Sequence, residues 1–334
     1  MKNGRHSRME YTYLGRTGLK VSRLCLGTMN FGVSTDEKEA YKIMDAALDA
    51  GINFFDTANI YGWGENSGRT EEIIGRWFEL GGNRREKVVL ATKVYGDMHD
   101  PLDGPNNGAG LSAYKIRRHL EGSLRRLKTD HVELYQMHHI DRRTSWDEIW
   151  QAFEIATQQG KIDYVGSSNF PGWAIAEAQV KAENRNFLGL VCEQTRYNLN
   201  ARMPELEVIP AAERYGLGFI PWSPLDGGVL GGNALNPAIG SRSSQNQQAI
   251  ERNRIKLESF SNLCQELGEK EDTIALAWLL TNSVVTAPII GVRTLEQLEN
   301  SLRAVEVTLT EDVLKRLDEI FPGPGGTAPE AYSW

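Results

Sequence analysis

The stretch Ile52–Gly62, which reads INFFDTANIYG, joins a short apolar run to two side chains that can exchange protons. The run Ile52–Phe55 has the apolar and aromatic character of a buried strand. Asp56 follows this run directly, and Tyr61 comes five residues later. The pattern predicts a strand that ends at Asp56 and brings a carboxylate and a phenol to one place.

Two more apolar runs of the chain end in a polar side chain. Lys93 closes the run Val88–Thr92, and His138 follows the run Val132–Met137. In a barrel of parallel strands the carboxyl ends of all strands converge on one face, where residues distant in sequence can meet. The spacing therefore predicts that the four polar side chains at these strand ends share one active site.

The rest of the chain alternates short apolar runs with amphipathic helical patterns, after a predicted N-terminal hairpin formed by Tyr11–Leu14 and Leu19–Ser22. Such alternation with short connectors requires parallel pairing, and eight units close naturally into a barrel. We predict one (β/α)8 barrel domain over residues 1–334, with an open doubly wound sheet as the alternative. The predicted barrel strands are Leu24–Leu26, Phe54–Asp56, Val88–Thr92, Val132–Met137, Tyr164–Ser167, Leu190–Glu193, Gly218–Pro221 and Thr286–Ile290.

Helical patterns separate these strands, and Ala249–Leu267 predicts an additional inserted helix. Two long polar loops, Gly96–Gly110 and Ser223–Gln247, follow predicted strands, so we expect them to cover or wall the substrate site. The tail Phe321–Trp334 is predicted to be non-helical and to run over the surface or fold back across a pocket. The other predicted helices are Asp36–Ala50, Glu65–Glu79, Ser112–Leu127, Ser145–Gln159, Pro171–Ala182, Glu205–Tyr215, Thr273–Leu280 and Leu295–Ala304.

Composition is that of a globular protein with a sizeable core, with 24% charged and 40% hydrophobic residues among 334. The formal net charge of −7 argues against a surface that neutralises nucleic-acid phosphates. Met1–Arg8 lacks the apolar centre of a signal peptide and is expected to be flexible, and no run of about 18 apolar residues occurs. We expect a cytoplasmic protein without nucleic-acid or membrane partners.

Metal, thiol and hydrolase chemistry find little support in the sequence. Cys25, Cys192 and Cys264 are odd in number and widely separated, which favours buried free thiols. Successive side chains of a strand point to opposite faces, so His138 and His139 are poorly placed to hold one ion unless the strand ends between them. We predict that His139 lines the pocket or the helix layer. Neither a G-x-S-x-G elbow nor a G-x-G-x-x-G fingerprint is present.

The chemistry that fits the four residues is proton transfer to a carbonyl oxygen. An unperturbed tyrosine has a pKa near 10, and we expect the Lys93 ammonium to favour the phenolate of Tyr61 while Asp56 fixes that ammonium. His138 could donate to the carbonyl oxygen. Each residue also has a plain structural interpretation, as an ion pair, a turn aromatic or a packed histidine. Reduction further requires a redox cofactor, since no side chain donates hydride.

Six motifs in order make the chain similar to the aldo-keto reductase superfamily from about Tyr11 to Val307. Within it, the chain resembles the bacterial branch related to voltage-gated potassium channel β subunits. The resemblance implies a (β/α)8 barrel that binds NADPH, with Tyr61 as general acid, Lys93 and Asp56 tuning it, and His138 orienting the carbonyl. The motifs are Asn53–Gly62, Leu90–Lys93, Leu134–His138, Gly166–Asn169, Trp222–Leu225 and Pro288–Thr294.

The resemblance also implies where the cofactor lies. Its nicotinamide carboxamide is expected at Ser168, Asn169 and Gln194, with Trp222 stacked on the ring. Arg293 and Gln297 match the region that meets the adenosine 2′-phosphate, which favours NADPH over NADH. The remaining cofactor positions that the resemblance implies are Gly27, Thr28, Met29, Asp56, Ser223, Leu225, Gly228 and Asn300.

Three positions depart from the family pattern, two of them at the adenine end. Asn300-Ser301 stands where relatives usually have Glu-Asn, and Asn233 stands where channel β subunits carry a lysine. The substrate pocket is expected around Trp63, Tyr95 and His139. The contacts to the adenine are therefore the part of the cofactor site that the resemblance implies least directly.

We therefore expect NADPH-dependent reduction of an aldehyde or ketone to an alcohol. Simple aldehydes, a keto group of a natural product and a nucleotide-linked keto-deoxysugar all remain open as substrates. The alternative is a regulatory subunit that binds NADPH and acts through a protein partner, as channel β subunits do. Members of this branch form tetramers or octamers, so a homo-oligomer is also expected.

Overall fold

The computed structural model describes residues 9–232, 235 and 246–328. The segment Met1–Arg8, which is predicted to be flexible, lies outside these residues. So do Asn233, most of the loop Ser223–Gln247 beyond Gly232, and the tail after Ala328. All statements about contacts below concern the described ranges.

Eight parallel strands form one closed sheet. Their hydrogen-bonded order begins with the last strand in sequence and then follows the chain from the third strand to the ninth. Closure comes from Phe219, which bonds to Val284 and Thr286 of the segment that leads into the last strand. The barrel strands are β3 (Cys25–Gly27), β4 (Phe54–Asp56), β5 (Val89–Val94), β6 (Val132–Met137), β7 (Ile162–Ser168), β8 (Leu190–Gln194), β9 (Gly218–Phe219) and β10 (Ile289–Ile290).

The predicted (β/α)8 barrel is confirmed, and closure excludes the open doubly wound sheet. Every predicted strand overlaps an observed one, with ends that differ by a few residues. The N-terminal hairpin consists of β1 (Tyr11–Tyr13) and β2 (Lys20–Ser22), which pair antiparallel. Its turn bonds to Gly216 through the backbone of Arg16, so the hairpin closes the amino-terminal end of the barrel and leaves the other end open.

Helices surround the barrel. The second helix starts later than predicted because Gly68 adopts φ 95° and separates it from a short 3-10 turn at Gly64–Asn66. The predicted insertion at Ala249–Leu267 is two helices, and a final helix that the sequence pattern did not predict precedes the tail. The helices are α1 (Glu37–Asp49), α2 (Arg69–Glu79), α3 (Ala113–Leu127), α4 (Trp146–Gln158), α5 (Gly172–Glu183), α6 (Val208–Tyr215), α7 (Gln247–Arg252), α8 (Arg254–Leu267), α9 (Glu271–Thr281), α10 (Leu295–Arg303) and α11 (Glu311–Ile320).

Strand alternation decides which side chains enter the barrel. Phe54 packs in the interior cluster and Phe55 in the layer beneath the helices, and Leu134 and Tyr135 divide in the same way. Successive side chains of a strand point to opposite faces, so the residue two positions after an interior residue is interior again. The polar residues that follow interior residues by two positions are Asp56, Lys93, Gln136 and Gln194.

The loop Gly96–Gly110 is hydrogen-bonded to α3 through one side chain. The Lys115 ammonium donates to the carbonyl oxygens of Tyr95, Gly96, Asn107 and Gly108 at 2.6–3.2 Å. The buried ammonium thus connects the first and the last part of this loop to α3.

The C-terminal tail does not cross the cavity in its described part. Phe321 is buried against Phe260 of α8, and the Ala328 amide donates to the Leu206 carbonyl at 2.7 Å. Of the two predicted courses, Phe321–Ala328 therefore follows the one over the surface. The buried aromatic ring and the backbone bond hold it there.

The described residues contain three free cysteines, and all three are buried. No helix among the described residues has both the length and the apolar character that crossing a bilayer requires. Within the same ranges, no group of three or more His, Cys, Asp or Glu side chains is arranged to hold a metal ion.

Candidate active site

A cavity of about 730 Å³ opens at the carboxyl ends of the barrel strands. Lys93 lies beneath its floor, fully buried. Asn300 does not line it, and the neighbouring Ser301 does. The predicted site residues that line the cavity are Gly27, Thr28, Met29, Asp56, Tyr61, Trp63, Tyr95, His138, His139, Ser168, Asn169, Gln194, Trp222, Ser223, Leu225, Gly228, Arg293 and Gln297.

Lys93 connects Asp56 to Tyr61. Its ammonium lies 2.5 Å from Asp56 Oδ2 and 3.1 Å from the Tyr61 hydroxyl, and it also donates to the Thr57 carbonyl at 2.9 Å. Burial by itself lowers the pKa of Lys93, but Asp56 and Tyr61 outweigh it and raise that pKa above its usual value. The ammonium is therefore charged at neutral pH, within hydrogen-bond reach of the phenol.

Tyr61 is buried at the base of the cavity, and Gly62 turns the chain sharply behind it. A Cβ at Gly62 would lie 2.0 Å from the Asn66 carbonyl oxygen, so only glycine fits this turn at φ 113°. Burial raises the pKa of Tyr61, and Asp56 adds to the rise, while Lys93 lowers it. Lys93 thus acts in the expected direction, towards the phenolate, but burial outweighs it. The net result is a protonated phenol.

His138 and His139 form a stacked pair at one side of the cavity. Their rings lie 5.1 Å apart at 6°, and the His138 ring meets the Tyr61 ring edge-on at 6.1 Å. Desolvation, the Lys93 ammonium and His139 hold the pKa of His138 well below its usual range. Both imidazoles are neutral at pH 7, since burial lowers the pKa of His139 as well. His139 turns to the cavity because the strand ends at Met137 and alternation no longer applies.

Aromatic side chains make the outer wall of the cavity. Trp63 is 44% exposed and lies 5.9 Å from the Tyr61 ring, and Tyr95 meets the His139 ring at 5.3 Å. Asp97, from the loop after β5, lines the same wall. The predicted pocket residues are thus together, around an opening next to the Tyr61 hydroxyl.

Two glutamines hold the other oxygen of Asp56. The side-chain nitrogens of Gln136 and Gln194 donate to Asp56 Oδ1 at 3.0 and 2.9 Å. Gln136 is fully buried and was not predicted as a site residue. The signal that would have found it is strand alternation, because Gln136 stands on β6 two residues after the interior Leu134.

A second polar cluster supports the opposite side of the cavity. Asn169 Nδ2 donates to the His138 carbonyl at 3.1 Å, and the Trp222 indole donates to Asn169 Oδ1 at 2.9 Å. The side chain of Asn169 thus ties β6, β7 and the segment after β9 together. Ser168 bonds to the Gln194 carbonyl at 2.8 Å, which links the same cluster to β8.

Glu193 is a buried acid beneath this cluster that the sequence did not single out. Its carboxyl accepts from the hydroxyls of Ser167 and Thr195, each at 2.5 Å, and from the Phe170 amide at 3.0 Å. Burial raises the pKa of Glu193 to about 7, although these hydrogen bonds lower it. The chain around Asn169, which has φ 60°, is thereby anchored from below.

The segment after Trp222 forms a tight turn along the cavity. Ser223 and Asp226 have φ values of 52° and 51°, and Gly227 and Gly228 are also left-handed. Asn198 Nδ2 donates to the Ser223 carbonyl at 2.8 Å, and the Arg196 guanidinium bonds to Asp226. Consecutive turns of this kind present backbone N–H groups to a concave surface, where they suit an anion.

The far end of the cavity is lined by exposed or half-buried side chains. Gln297 is exposed, and its amide oxygen accepts from the backbone of Arg293 at 2.8 Å, while the Arg293 side chain is half-buried. Asn300 accepts from Lys270 at 3.0 Å. Asp272 lines this end too, and burial raises the pKa of its carboxyl.

Sequence comparison assigns this barrel and its site to a family. Residues 23–321 match the Aldo/keto reductase family, and the chain belongs to it. The match covers the barrel and all four residues of the Asp56, Tyr61, Lys93 and His138 set.

Several relatives span nearly the whole chain. An uncharacterized oxidoreductase named YrpG from Bacillus subtilis (strain 168) is 66% identical over 98% of this chain and 100% of its own length. A probable voltage-gated potassium channel subunit beta from Oryza sativa subsp. japonica is 34% identical, covering 93% and 96% of the two chains. A norsolorinic acid reductase, stcV, from Emericella nidulans is 32% identical, covering 91% and 79%. The relatives therefore carry both enzyme and channel-subunit names.

Proposed function

We propose that this protein reduces an aldehyde or ketone to an alcohol with NADPH. The observation that carries the proposal is the buried chain of contacts from Asp56 through Lys93 to the Tyr61 hydroxyl at the base of the cavity. Such a chain supplies a proton and a positive charge at the point where a carbonyl oxygen would become an alkoxide.

The cavity residues fit a nicotinamide dinucleotide. Its amide end suits Ser168, Asn169 and Gln194, which are hydrogen-bonded to one another at the barrel mouth. The left-handed turn that begins at Ser223 suits a pyrophosphate, and Arg293 suits a 2′-phosphate by its charge and fork geometry. When bound, NADPH supplies the hydride that adds to the carbonyl carbon.

The residues of this chain provide the rest of the reaction. Tyr61, protonated at neutral pH, gives its proton to the carbonyl oxygen as negative charge develops there. Lys93 then faces the phenolate at 3.1 Å and stabilises it, while Asp56 keeps the ammonium in place. Neutral His138 donates a hydrogen bond from one ring nitrogen to the same oxygen and so orients the substrate.

The test is NADPH oxidation with a panel of carbonyl compounds, with wild type compared to Tyr61→Phe. The panel contains simple aldehydes, natural-product ketones and a nucleotide-linked keto-deoxysugar. General acid catalysis is worth about 10²- to 10⁴-fold, so the variant should lose at least about 10²-fold in kcat. NADPH affinity should persist, because the ring stays and only the hydroxyl is removed. Equal turnover in both proteins would contradict the proposal.

A regulatory role is the second candidate, because two plant relatives at 34% and 33% identity carry the name of a channel β subunit. A protein of that kind binds the cofactor and acts through a partner. Single-turnover oxidation of bound NADPH distinguishes the two. Rapid oxidation with at least one carbonyl class supports the enzyme, whereas tight NADPH binding without oxidation by any of them supports the regulatory subunit.

A further inference from the structure

Gln136 is hydrogen-bonded to two site residues, Asp56 and Gln194, to which we assign different roles. Its side-chain nitrogen donates to Asp56 Oδ1 at 3.0 Å, and its side-chain oxygen accepts from Gln194 Nε2 at 3.2 Å. Gln136 itself is fully buried in the barrel and does not line the cavity. It therefore cannot contact a substrate, and any influence it has on the reaction passes through these two residues.

The chemistry of Asp56 fixes the orientation of both glutamines. An ionised carboxylate only accepts hydrogen bonds, so each glutamine has to turn its NH₂ group towards Asp56 Oδ1. Because Gln136 turns its nitrogen to Asp56, its oxygen faces Gln194. The two hydrogens of Gln194 Nε2 are then taken up by Asp56 and Gln136. What Gln194 can offer to the cavity is its carbonyl oxygen, an acceptor.

We infer that Gln136 is a positioning residue that acts on proton donation and on cofactor binding at once. It fixes Asp56, which orients the Lys93 ammonium against Tyr61, and it holds Gln194 with the acceptor oxygen towards the cavity. This inference rests on the proposed function, since an acceptor at Gln194 is what the NH₂ group of a nicotinamide carboxamide requires.

Removing the amide of Gln136 should therefore weaken two measurable properties. In Gln136→Met a side chain of similar length fills the space without either hydrogen-bonding group. A hydrogen bond to a charged group is worth about ten- to a hundredfold in an equilibrium constant, so we expect kcat to fall by about that factor. Gln194 keeps its bond to Asp56 but loses the acceptor of its second hydrogen. Its amide is then held less firmly, so NADPH affinity should weaken several-fold.

Gln179→Met is the matched control. Gln179 on α5 is also a buried glutamine with two hydrogen bonds, both to the backbone of Leu190, at 2.7 and 3.3 Å. It contacts none of the site residues, so this variant measures what the loss of a buried amide costs in stability alone. We expect a lower thermal midpoint with kcat and NADPH affinity close to wild type.

Gln136→Glu tests the orientation argument and serves if Gln136→Met does not fold. A protonated carboxyl can donate to Asp56 as the amide does, whereas an ionised one repels it. The ratio of the kcat of this variant to that of wild type should therefore rise as the pH falls. A kcat at pH 5 that lies about a hundredfold below wild type, where the carboxyl is protonated and can donate to Asp56, would overturn the inference.

The inference is also overturned if Gln136→Met matches Gln179→Met in kcat and in NADPH affinity. This failure differs from a failure of the proposed function, in which wild type itself oxidises no NADPH with any carbonyl. In that case only the effect of Gln136 on cofactor binding can be measured. Unchanged NADPH affinity in Gln136→Met would then show that Gln136 does not orient Gln194.

Discussion

The two ends of the cavity are built in different ways. At the reacting end, Asp56 and Lys93 are buried on strands, and every oxygen of the Asp56 carboxylate has a donor within 3.0 Å. At the far end, where we propose that the adenosine binds, Gln297 is exposed and Asn300 bonds to Lys270 instead of facing the cavity. The barrel strands position the side chains of the reacting end, whereas helix α10 and the loops around it position those of the other end.

This difference predicts which substitutions should change the rate of the reaction and which should change only the affinity for the cofactor. Groups that are buried with saturated hydrogen bonds cannot rearrange, so the loss of one leaves its partners unpaired at a high cost in free energy. Exposed side chains rearrange into water at little cost. The reacting end should therefore respond to substitution in kcat and stability together, and the adenosine end in cofactor affinity alone.

The largest effect is expected from Lys93→Met. It leaves the Asp56 carboxylate buried without its cation, which costs about 3–5 kcal/mol of stability, and removes the charge that stabilises the Tyr61 phenolate. We expect kcat to fall by more than about 10²-fold, measured by NADPH oxidation alongside denaturant unfolding. The double variant Asp56→Asn/Lys93→Met removes both charges and should recover stability without activity. Recovery of both would mean that the pair is only structural.

The next largest effect separates the two ends. Arg293→Ala should weaken NADPH by about ten- to a hundredfold, the worth of one charge-assisted hydrogen bond, and leave NADH nearly unchanged. Fluorescence titration with both cofactors measures this, and kcat at saturating NADPH should stay near the wild-type value. Equal losses for NADPH and NADH would assign Arg293 a structural role.

A pH effect is expected from Glu193. Its pKa of about 7 lies above the ordinary value of 4.5, so the folded protein holds this proton more tightly than the unfolded chain. Stability from this group is therefore present below about pH 4.5 and declines as the pH rises to 7, by at most about 1.4 kcal/mol per pH unit. Glu193→Gln should flatten that decline in unfolding free energies measured from pH 5 to pH 8. Identical slopes for both proteins would refute it.

The smallest effect is expected from Asn300→Ala. Its side chain bonds to Lys270 outside the cavity lining, and surface substitutions of this kind change free energies by about 0.5 kcal/mol or less. NADPH affinity should stay within about twofold of wild type. A loss of tenfold or more would mean that Asn300 turns towards the adenine when the cofactor binds. The adenosine end would then depend on a specific side-chain contact, as the reacting end does.

Sequence reasoning predicted the barrel and the polar residues that meet at its mouth because both depend on local patterns. Apolar runs of strand length predicted all eight barrel strands, and polar residues at their ends predicted the residues that meet at the cavity. Reasoning by spacing missed Gln136, since a polar residue within an apolar run carries no strand-end signal. It also missed Glu193 beneath the cluster around Asn169, because its partners come from neighbouring segments.

The amino-acid sequence alone determined the order of the strands and which polar residues follow them. In a parallel barrel all strand ends lie on one face, so these residues have one place to meet. Tertiary structure decided the protonation states and the hydrogen-bond directions. The pKa of Tyr61 rises because burial outweighs Lys93, and no spacing in the chain reports how much water a side chain loses. Whether a polar residue such as Asn300 faces the cavity or Lys270 was likewise decided only by packing.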